Sequence, residues 1–294
     1  MKRILVSGAN KGIGLALVEA ILNHSDDTSV VLGSRSQSRG DEAKAGLVNK
    51  TPQWADRVDV VALDVSNDGS VNDAAKTVAA LAPDNPTPLY AIVNNAGVGY
   101  GVGSLLDTLQ VNTYGVRRVS ETLLPLLSSE GRIVNVTSAA GPMFVSACSQ
   151  ARQDFFLDPQ VEWSRLNAFM EECIPLDDDS DAFAEKGLGG SNSYGLSKAC
   201  ANSYTLLLAR ENPSVMVSAC TPGYIETDLT RAYAEANNEV VAEMGLKQPA
   251  EGTKSAIFTL FEPLKGSGFY YGSDAKRSPM DRYRGPGEPE YTGN

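Results

Sequence analysis

The chain has 294 residues, 42% of them hydrophobic, and a formal net charge of −11. This length and composition suit one large α/β domain with an ample core. The acidic excess and the lack of a dense Lys/Arg run argue against nucleic-acid and anionic-membrane partners.

The four cysteines, Cys148, Cys173, Cys200 and Cys220, are widely spaced, and the chain has a single histidine, His24. The sequence contains no Cys-x-x-Cys motif and no histidine cluster of the kind that binds metal ions. We therefore expect reduced thiols and no metal site.

The first predicted strand, residues 3–7, begins close to the first residue of the chain. A secretory leader would need a basic region, an apolar region and a cleavage site before it. No later apolar run is long enough to span a bilayer. We therefore expect a cytoplasmic protein with no membrane partner.

A glycine-rich turn connects this strand to an apolar-periodic helix at residues 15–22. In such a turn the backbone can approach a pyrophosphate closely, and the helix N-terminus presents free N–H groups to it. The sequence therefore predicts a dinucleotide phosphate site. Its residues are Gly8, Asn10, Lys11, Gly12, Ile13 and Gly14.

The end of the second predicted strand indicates which dinucleotide binds. NAD sites usually have an acidic residue here for the ribose 2′-hydroxyl, whereas a basic residue suits the 2′-phosphate of NADP. This strand ends in Ser34-Arg35, and no Asp or Glu follows before Asp41. Arg35, together with Lys11, can make charge-assisted contacts to a phosphate. The pattern favours NADPH, with Ser34 and Arg35 among its contacts.

Apolar, β-branched runs alternate with helical patterns along most of the chain. The runs lie at residues 4–6, 29–32, 58–63, 90–93, 132–136 and 215–219, with a seventh short run at 268–271. This alternation predicts a Rossmann-type, doubly wound parallel sheet of about seven strands, with helices on both faces. We expect a single domain over residues 1–294, with an insertion at about 139–193 and an irregular tail at about 278–294.

Polar and glycine motifs follow several of these runs, at the edge where ligands bind in open parallel sheets. They are Asp64-Val65, Asn94-Asn95-Ala96-Gly97, Ser138 and Pro222-Gly223, with Asn112 on a predicted helix. Each taken alone has an ordinary explanation, as a strand-end hydroxyl, a helix cap or a turn. Their shared edge of the sheet is what points to ligand binding.

Tyr194 and Lys198 are four residues apart at the start of an apolar helix. At that spacing the two side chains share one helix face. A cation close to the phenol favours its ionised form and lowers its pKa from about 10. The pair predicts a tyrosine that can donate a proton near neutral pH, although the same spacing also occurs in ordinary surface helices.

The ordered set of motifs resembles the short-chain dehydrogenase/reductase family. The spacing of the three glycines in the first turn is typical of that family, and residues 8–16 and 131–138 are most similar to the monomeric NADPH-dependent carbonyl reductases. The resemblance implies reduction of a ketone, aldehyde or quinone to an alcohol, with a hydride from NADPH and a proton from Tyr194. It implies that the catalytic residues are Asn112, Ser138, Tyr194 and Lys198.

The same resemblance gives each motif a role. Ser138 polarises the substrate oxygen, Lys198 lowers the pKa of Tyr194 and binds the nicotinamide ribose, and Asn112 anchors a proton-relay water. The cofactor contacts that it implies beyond the glycine turn are Asp64, Val65, Asn95, Ala96, Gly97, Tyr194, Lys198, Pro222, Gly223, Ile225 and Thr227.

Residues 139–193 depart from the alternation of strands and helices. Their apolar spacing predicts one or two amphipathic helices. In the carbonyl reductases an insertion at this place covers the interface through which other family members form oligomers, so the resemblance implies a monomer. For the Pro- and Gly-rich tail, the sequence leaves open whether it frays or lies near the substrate entrance.

The walls of the substrate pocket are expected at residues 99–103, 142–145 and 224–233. Phe144, Tyr224 and Tyr233 suggest an aromatic-lined site suited to quinones, aromatic ketones or aldehydes. Two alternatives to a carbonyl reductase of broad specificity stay open. One is a biosynthetic ketone reductase with a single substrate, and the other is an NADPH-sensing regulatory protein on the same fold.

Overall fold

The computed structural model describes residues 1–99, 103–176 and 179–293. In this part of the chain one eight-stranded sheet has the order β3-β2-β1-β4-β5-β6-β7-β8. The strands are β1 (Lys2–Val6), β2 (Thr28–Ser34), β3 (Val58–Ala62), β4 (Leu89–Asn94), β5 (Leu127–Val136), β6 (Met216–Cys220), β7 (Phe269–Tyr271) and β8 (Arg277–Ser278). All neighbouring strands pair in parallel except β7 and β8, which are antiparallel.

The helices fill the connections between strands and form the insertion. They are α1 (Gly12–His24), α2 (Gln37–Lys50), α3 (Asp68–Ala80), α4 (Leu105–Asn112), α5 (Tyr114–Leu123), α6 (Ala140–Ala147), α7 (Gln150–Phe156), α8 (Trp163–Cys173), α9 (Ser180–Glu185), α10 (Ser193–Glu211), α11 (Asp228–Asn237) and α12 (Lys254–Phe261). Among the residues described, no helix has both the length and the apolar character needed to cross a membrane.

The core consists of two apolar layers, one on each face of the sheet. Ile4 and Leu5 are neighbours in β1 and point to opposite faces, so they belong to different layers. Leu17 of α1 packs in the layer of Ile4, and Leu196 of α10 packs in the layer of Leu5. Helices therefore cover both faces, which confirms the predicted doubly wound α/β fold.

The sheet has one strand more than the sequence predicts. Strand β8 lies where the irregular tail was expected to begin, and it pairs with the end of β7 through a tight turn. In that turn the Gly272 N–H donates to the carbonyl of Lys276 over 2.8 Å. A polar, two-residue strand leaves no apolar run in the sequence, so periodicity could not predict it.

Most of the apolar positions from 155 to 170 lie on two helices, α7 and α8, as their spacing predicts, and the described part of the insertion adds α6 and α9, which were not predicted. The acidic residues Asp177 and Asp178, between α8 and α9, lie outside the described residues. The insertion packs along one side of α10: the Ser203 hydroxyl donates to the Phe156 carbonyl over 2.8 Å. The insertion thus covers a long face of the helix that carries Tyr194.

Candidate functional site

The strand order reverses between β1 and β4, which pair in parallel at the centre of the sheet. Ligands of doubly wound sheets bind beyond the carboxyl ends of the strands at such a point. A cavity of about 630 Å³ lies there. It brings together most of the predicted cofactor residues: Gly8, Asn10, Lys11, Gly12, Ile13, Gly14, Arg35, Asp64, Val65, Asn95, Ala96, Gly97, Tyr194, Lys198, Pro222 and Thr227.

The glycine turn is packed tightly against the loop that follows β4. Gly8 has a positive φ of 63°, and a Cβ there would come within 2.8 Å of the Ala96 Cα. A Cβ on Gly14 would lie 2.3 Å from the Gly8 carbonyl oxygen. Only glycine fits at these two positions, so the turn presents bare backbone, here called the glycine cradle, to the cavity.

Polar contacts hold the same two loops together. The Asn95 amide donates to the carbonyls of Ser7 and Gly8 over 3.0 and 3.2 Å. The Ser7 hydroxyl oxygen accepts the N–H groups of Asn95 and Ala96, both over 3.0 Å. Ser7 was predicted only as the last residue of the first strand, so the sequence analysis missed it as a site residue. The Asn95 side chain thus fixes the backbone of the glycine turn, which explains why an asparagine follows β4 directly.

The N-terminus of α1 points into this cradle without a side-chain cap. Lys11 is its N-cap residue, and its side chain makes no capping hydrogen bond. The first N–H groups of an α-helix have no intrahelical partner, and they attract anions. This end of the cavity is therefore suited to a phosphate.

Two arginines line the far end of the cavity, beside the carboxyl end of β2. Arg35 was predicted there, whereas Arg39, one turn along α2, was not. Arg39 is a second basic residue in the polar segment that follows β2, and this was the signal that could have found it. Ser34 does not reach the cavity, because it is buried and its hydroxyl donates to the Ser36 carbonyl over 2.9 Å. Ser34 therefore supports the loop.

Lys11 does not stand free for a phosphate. Its ammonium pairs with Asp228 at the start of α11, and Arg231 lies 3.2 Å from the same carboxylate. Arg231 also pairs with Glu226 over 2.9 Å. The Lys11 ammonium beside Asp228 lowers the pKa of that carboxyl. These four charged residues line the cavity and join the glycine turn to the segment after β6.

A second cavity of about 540 Å³ adjoins the first, and both are lined by Tyr194, Pro222 and Thr227. It contains three predicted site residues that the first cavity lacks, Ser138, Gly223 and Ile225. The Ser138 oxygen accepts the Ala140 N–H over 3.2 Å. Tyr194 therefore lies at the junction, within reach of a ligand in either cavity.

Helix α10 places Tyr194 and Lys198 one turn apart. Asn192 caps the helix by accepting the Gly195 N–H over 2.8 Å. The Lys198 Nζ lies 5.7 Å from the centroid of the Tyr194 ring and donates to the Val136 carbonyl over 3.3 Å. Burial lowers the pKa of Lys198 from 10.5 to about 8.

A close approach between α6 and α10 holds Ser138 near this pair. A Cβ on Gly141 would come within 3.1 Å of the Lys198 carbonyl carbon and 3.2 Å of the Ala199 nitrogen. Glycine therefore lets the backbone after Ser138 rest on the turn of α10 that carries Lys198. This contact connects β5 to the site.

Asn112 lines neither cavity. It is fully buried at the break between α4 and α5, and its side chain both accepts from and donates to the Val98 backbone over 2.9 Å. Its amide also donates to the Ser197 hydroxyl over 3.0 Å. A Cβ on Gly97 would lie 3.4 Å from both the Asn112 Oδ1 and the Lys198 Nζ. Asn112 thus braces the wall beside Lys198 and marks a helix break, the alternative left open from the sequence.

Some of the residues predicted for the substrate walls line the second cavity, and others do not. Pro142, Met143, Tyr224 and Tyr233 line the second cavity. Phe144 does not, because α6 buries it against Phe156 with 5.9 Å between the ring centroids.

The wall expected at 99–103 is described only at its ends. Residues 100–102 lie outside the described residues. A Cβ on Gly99 would meet Leu229 at 2.5 Å, so this end of the loop packs against α11. Residues of the tail, whose place the sequence left open, do line the second cavity, beside Tyr270 of β7: Ser278, Arg282, Tyr283 and Arg284.

Comparisons with known proteins agree with this arrangement. The family model described as short chain dehydrogenase matches residues 2–150. Carbonyl reductase (NADPH) 1 of Rattus norvegicus is 27% identical over 279 residues, covering 90% of this chain and 92% of that protein. Short-chain dehydrogenase/reductase 1 of Saponaria officinalis is 30% identical over 298 residues, covering 91% of this chain and 92% of that protein. The fold also matches the structure of salutaridine reductase from Papaver somniferum, with a TM-score of 0.75 and 24% identity, covering 92% of this chain and 99% of that chain.

Proposed function

Because this chain belongs to the short chain dehydrogenase family, we propose that it is an NADPH-dependent reductase that converts a carbonyl compound to an alcohol. The observation that carries the proposal is the position of Tyr194. It lies where a cofactor-sized cavity meets a second cavity, with the buried Lys198 one turn away. A proton donor at that junction can act on an atom that receives a hydride from the other side.

The residues of the first cavity fit NADPH. The glycine cradle and the uncapped N-terminus of α1 suit the pyrophosphate, and Arg35 and Arg39 suit the 2′-phosphate of the adenosine ribose. Asp64 and Val65 line the same end of the cavity. A relative named as an NADPH carbonyl reductase supports the same cofactor. When bound, NADPH supplies the hydride.

The residues at the junction supply the proton and hold the substrate oxygen. The phenol of Tyr194 donates its proton to the carbonyl oxygen as negative charge develops there. The Ser138 hydroxyl, which lines the same cavity, donates a hydrogen bond to that oxygen. Below pH 8 or so the Lys198 ammonium is charged, and it stabilises the tyrosinate that proton transfer leaves behind.

The remaining cofactor contacts lie where the nicotinamide end would be. Asn95, Ala96 and Gly97 line the wall next to Lys198, while Pro222 and Thr227 line both cavities. Gly223 and Ile225 line the second cavity only, in the same loop as Pro222 and Thr227. Asn112 acts behind Lys198, through Val98 and Ser197.

The second cavity suits a flat, mainly apolar carbonyl compound such as a quinone, an aromatic ketone or an aromatic aldehyde. Its walls include Met143, Tyr224, Tyr233 and Tyr270. Cavities of this size and lining enclose most of a drug-sized ligand. A small aliphatic carbonyl would leave much of this apolar wall uncovered.

The chain is proposed to act as a single-domain monomer. The insertion lies along α10: Trp163 packs edge-on to Tyr204 with ring centroids 5.8 Å apart, and Ser203 bonds to the backbone of α7. A second subunit could reach this face only by displacing α7 and α8. The cytoplasmic location stays a prediction.

The test is turnover of NADPH by the purified protein, followed by the loss of its absorbance, with NADH in parallel. The substrates are menadione, isatin, an aromatic aldehyde and an aliphatic ketone. Turnover of several aromatic compounds with NADPH supports the proposal, and turnover of a single compound would favour a specialised reductase. Tight NADPH binding without turnover of any compound would contradict a reductase of broad specificity and favour an NADPH sensor.

A further inference from the structure

Residues 277–291, here called the C-terminal arm, follow the turn after β7 and return along the edge of the sheet. Strand β8 begins the arm, with Ser278 opposite Tyr270 in the antiparallel register. Further along, the Tyr291 N–H donates to the Arg277 carbonyl over 3.0 Å. Arg277 stacks on the ring of Phe269 at 3.6 Å. The arm is therefore attached at both ends.

A buried arginine holds the middle of the arm. The Arg284 side chain is 6% exposed and forms an ion pair with Asp274, which is 14% exposed. Its Nε donates to the Ser278 hydroxyl over 2.8 Å, and its Nη1 donates to the carbonyls of Gly285 and Glu288 over 3.1 and 2.9 Å. All three guanidinium nitrogens donate to groups of the arm or of the turn before it, so this arginine fixes the backbone geometry of the arm.

The turn after β7 is shaped to receive that arginine. A Cβ on Gly272 would come within 2.7 Å of the Arg284 Nη2. The second oxygen of Asp274 accepts the Gly287 N–H over 3.0 Å. One carboxylate thus binds two points of the arm, and breaking the pair would leave a buried charge uncompensated.

The contacts of Arg284 with Asp274 and with the arm backbone fix the position of the neighbouring residue, Tyr283. Tyr283 lines the second cavity next in sequence to Arg284, yet its side chain is 54% exposed. Met143 and Tyr224 line the same cavity and are 53% and 47% exposed. Half of the six large hydrophobic side chains that stay exposed in the described ranges are therefore gathered around this one opening. Clustered exposed apolar side chains at a cavity mark a ligand surface.

We infer that Tyr283 is a specificity-determining residue that covers the flat face of an aromatic or quinone substrate, and that Arg284 is the positioning residue that holds it there through Asp274. This inference rests on the proposed function and adds the C-terminal arm to its substrate site. An aromatic side chain can bury one face of a planar ring at little entropic cost. A small aliphatic carbonyl compound offers no such face, so it gains nothing from Tyr283.

The inference is tested by calorimetric titration of isatin and of butanedione into the protein with NADP⁺ bound. No reduction can follow from NADP⁺, so the heat reports binding alone. Tyr283→Ala is expected to weaken isatin binding about five- to tenfold and to leave butanedione binding within about twofold. Tyr283→Phe keeps the ring and is expected to retain isatin affinity. Leu106→Ala removes an exposed apolar side chain of α4 that lines neither cavity, and it serves as the control.

Arg284→Lys keeps the charge but cannot donate hydrogen bonds to the same set of acceptors. It is expected to weaken isatin binding as much as Tyr283→Ala does and to leave NADPH affinity unchanged. Combining the two changes is expected to cause no further loss of isatin affinity. Additive losses would contradict the positioning role. Unchanged isatin affinity in Tyr283→Ala, equal weakening of both ligands, or no isatin binding by the unaltered protein would overturn the inference. Binding of isatin with this pattern but no reduction of it with NADPH would contradict the proposed function alone.

Discussion

The ammonium of Lys198 lies 5.7 Å from the centre of the Tyr194 ring, in a position that is almost closed to solvent. Its one hydrogen bond among the described residues goes to the Val136 carbonyl over 3.3 Å. No carboxylate of the described residues pairs with it, and burial is what lowers its pKa from 10.5 to about 8. A buried, uncompensated ammonium costs stability, so we attribute its presence to the reaction.

Replacing Lys198 should therefore stabilise the protein while it abolishes activity. The folded pKa of about 8 lies below 10.5, so between these values the unfolded chain binds more protons and stability rises with pH. Below pH 8 or so the full cost of burial is present, roughly 3 kcal/mol for this difference in pKa. Lys198→Met should be more stable than the unaltered protein at pH 7, by up to that amount.

Urea unfolding without cofactor at pH 7 and at about pH 9 measures this effect. The advantage of Lys198→Met should shrink at the higher pH, where the unaltered lysine is largely neutral in the fold. Lys44→Met, a change at a partly exposed position of α2, controls for loss of a lysine as such. Equal destabilisation of Lys198→Met at both pH values would show that the ammonium is not buried at a cost.

Arg35→Asp should shift cofactor preference from NADPH toward NADH. The change removes a charge-assisted contact to the 2′-phosphate and introduces an acceptor for the ribose hydroxyls. We expect the KM for NADPH to rise about 10- to 100-fold, with a smaller rise for Arg39→Gln. Lys44→Asp makes the same charge change on α2 outside the cavity and should leave both KM values nearly unchanged. An unaltered NADPH preference in Arg35→Asp would place the phosphate elsewhere.

Asp228→Asn should strengthen NADPH binding. In the structure Asp228 pairs with Lys11, so a phosphate must compete with this carboxylate for the ammonium. Because both partners are exposed, the pair is worth at most about 1 kcal/mol, and the gain should reach about fivefold at low salt and fade at high salt. Asp73→Asn breaks an exposed ion pair on α3 and is the control. Weaker NADPH binding by Asp228→Asn would mean that the Lys11–Asp228 pair forms part of the cofactor site.

Sedimentation velocity at micromolar concentration should give a single species of about 31.2 kDa. The reason is that α7 and α8 occupy the face of α10 that a second subunit would need. A stable dimer or tetramer would contradict this reading of the insertion.

The parts of the site that the sequence predicted are local in the chain. The glycine turn, the motifs after β3 and β4, and the pair on α10 each depend on a few neighbouring residues, and parallel strands bring them to one edge. Arg39 is local in the same sense, since it lies four residues after Arg35 in the segment that follows β2.

The C-terminal arm could not be predicted in this way. Its place depends on the contact of Arg284 with Asp274, ten residues apart in a segment without periodicity. Phe144 was misplaced for a related reason. Residues 142–145 looked like a loop, whereas α6 begins at Ala140 and turns Phe144 into the core.

The most direct test of the central claim compares Tyr194→Phe with Tyr204→Phe, two removals of a phenol oxygen from the same helix. The Tyr204 hydroxyl is buried without a hydrogen-bond partner in the described part of the chain, so its loss should leave turnover close to that of the unaltered protein. For Tyr194→Phe we predict that kcat for isatin reduction falls about 100-fold or more, while the NADPH Kd changes by less than about threefold. Near-normal turnover by Tyr194→Phe would contradict its role as the proton donor, and with it the proposed mechanism.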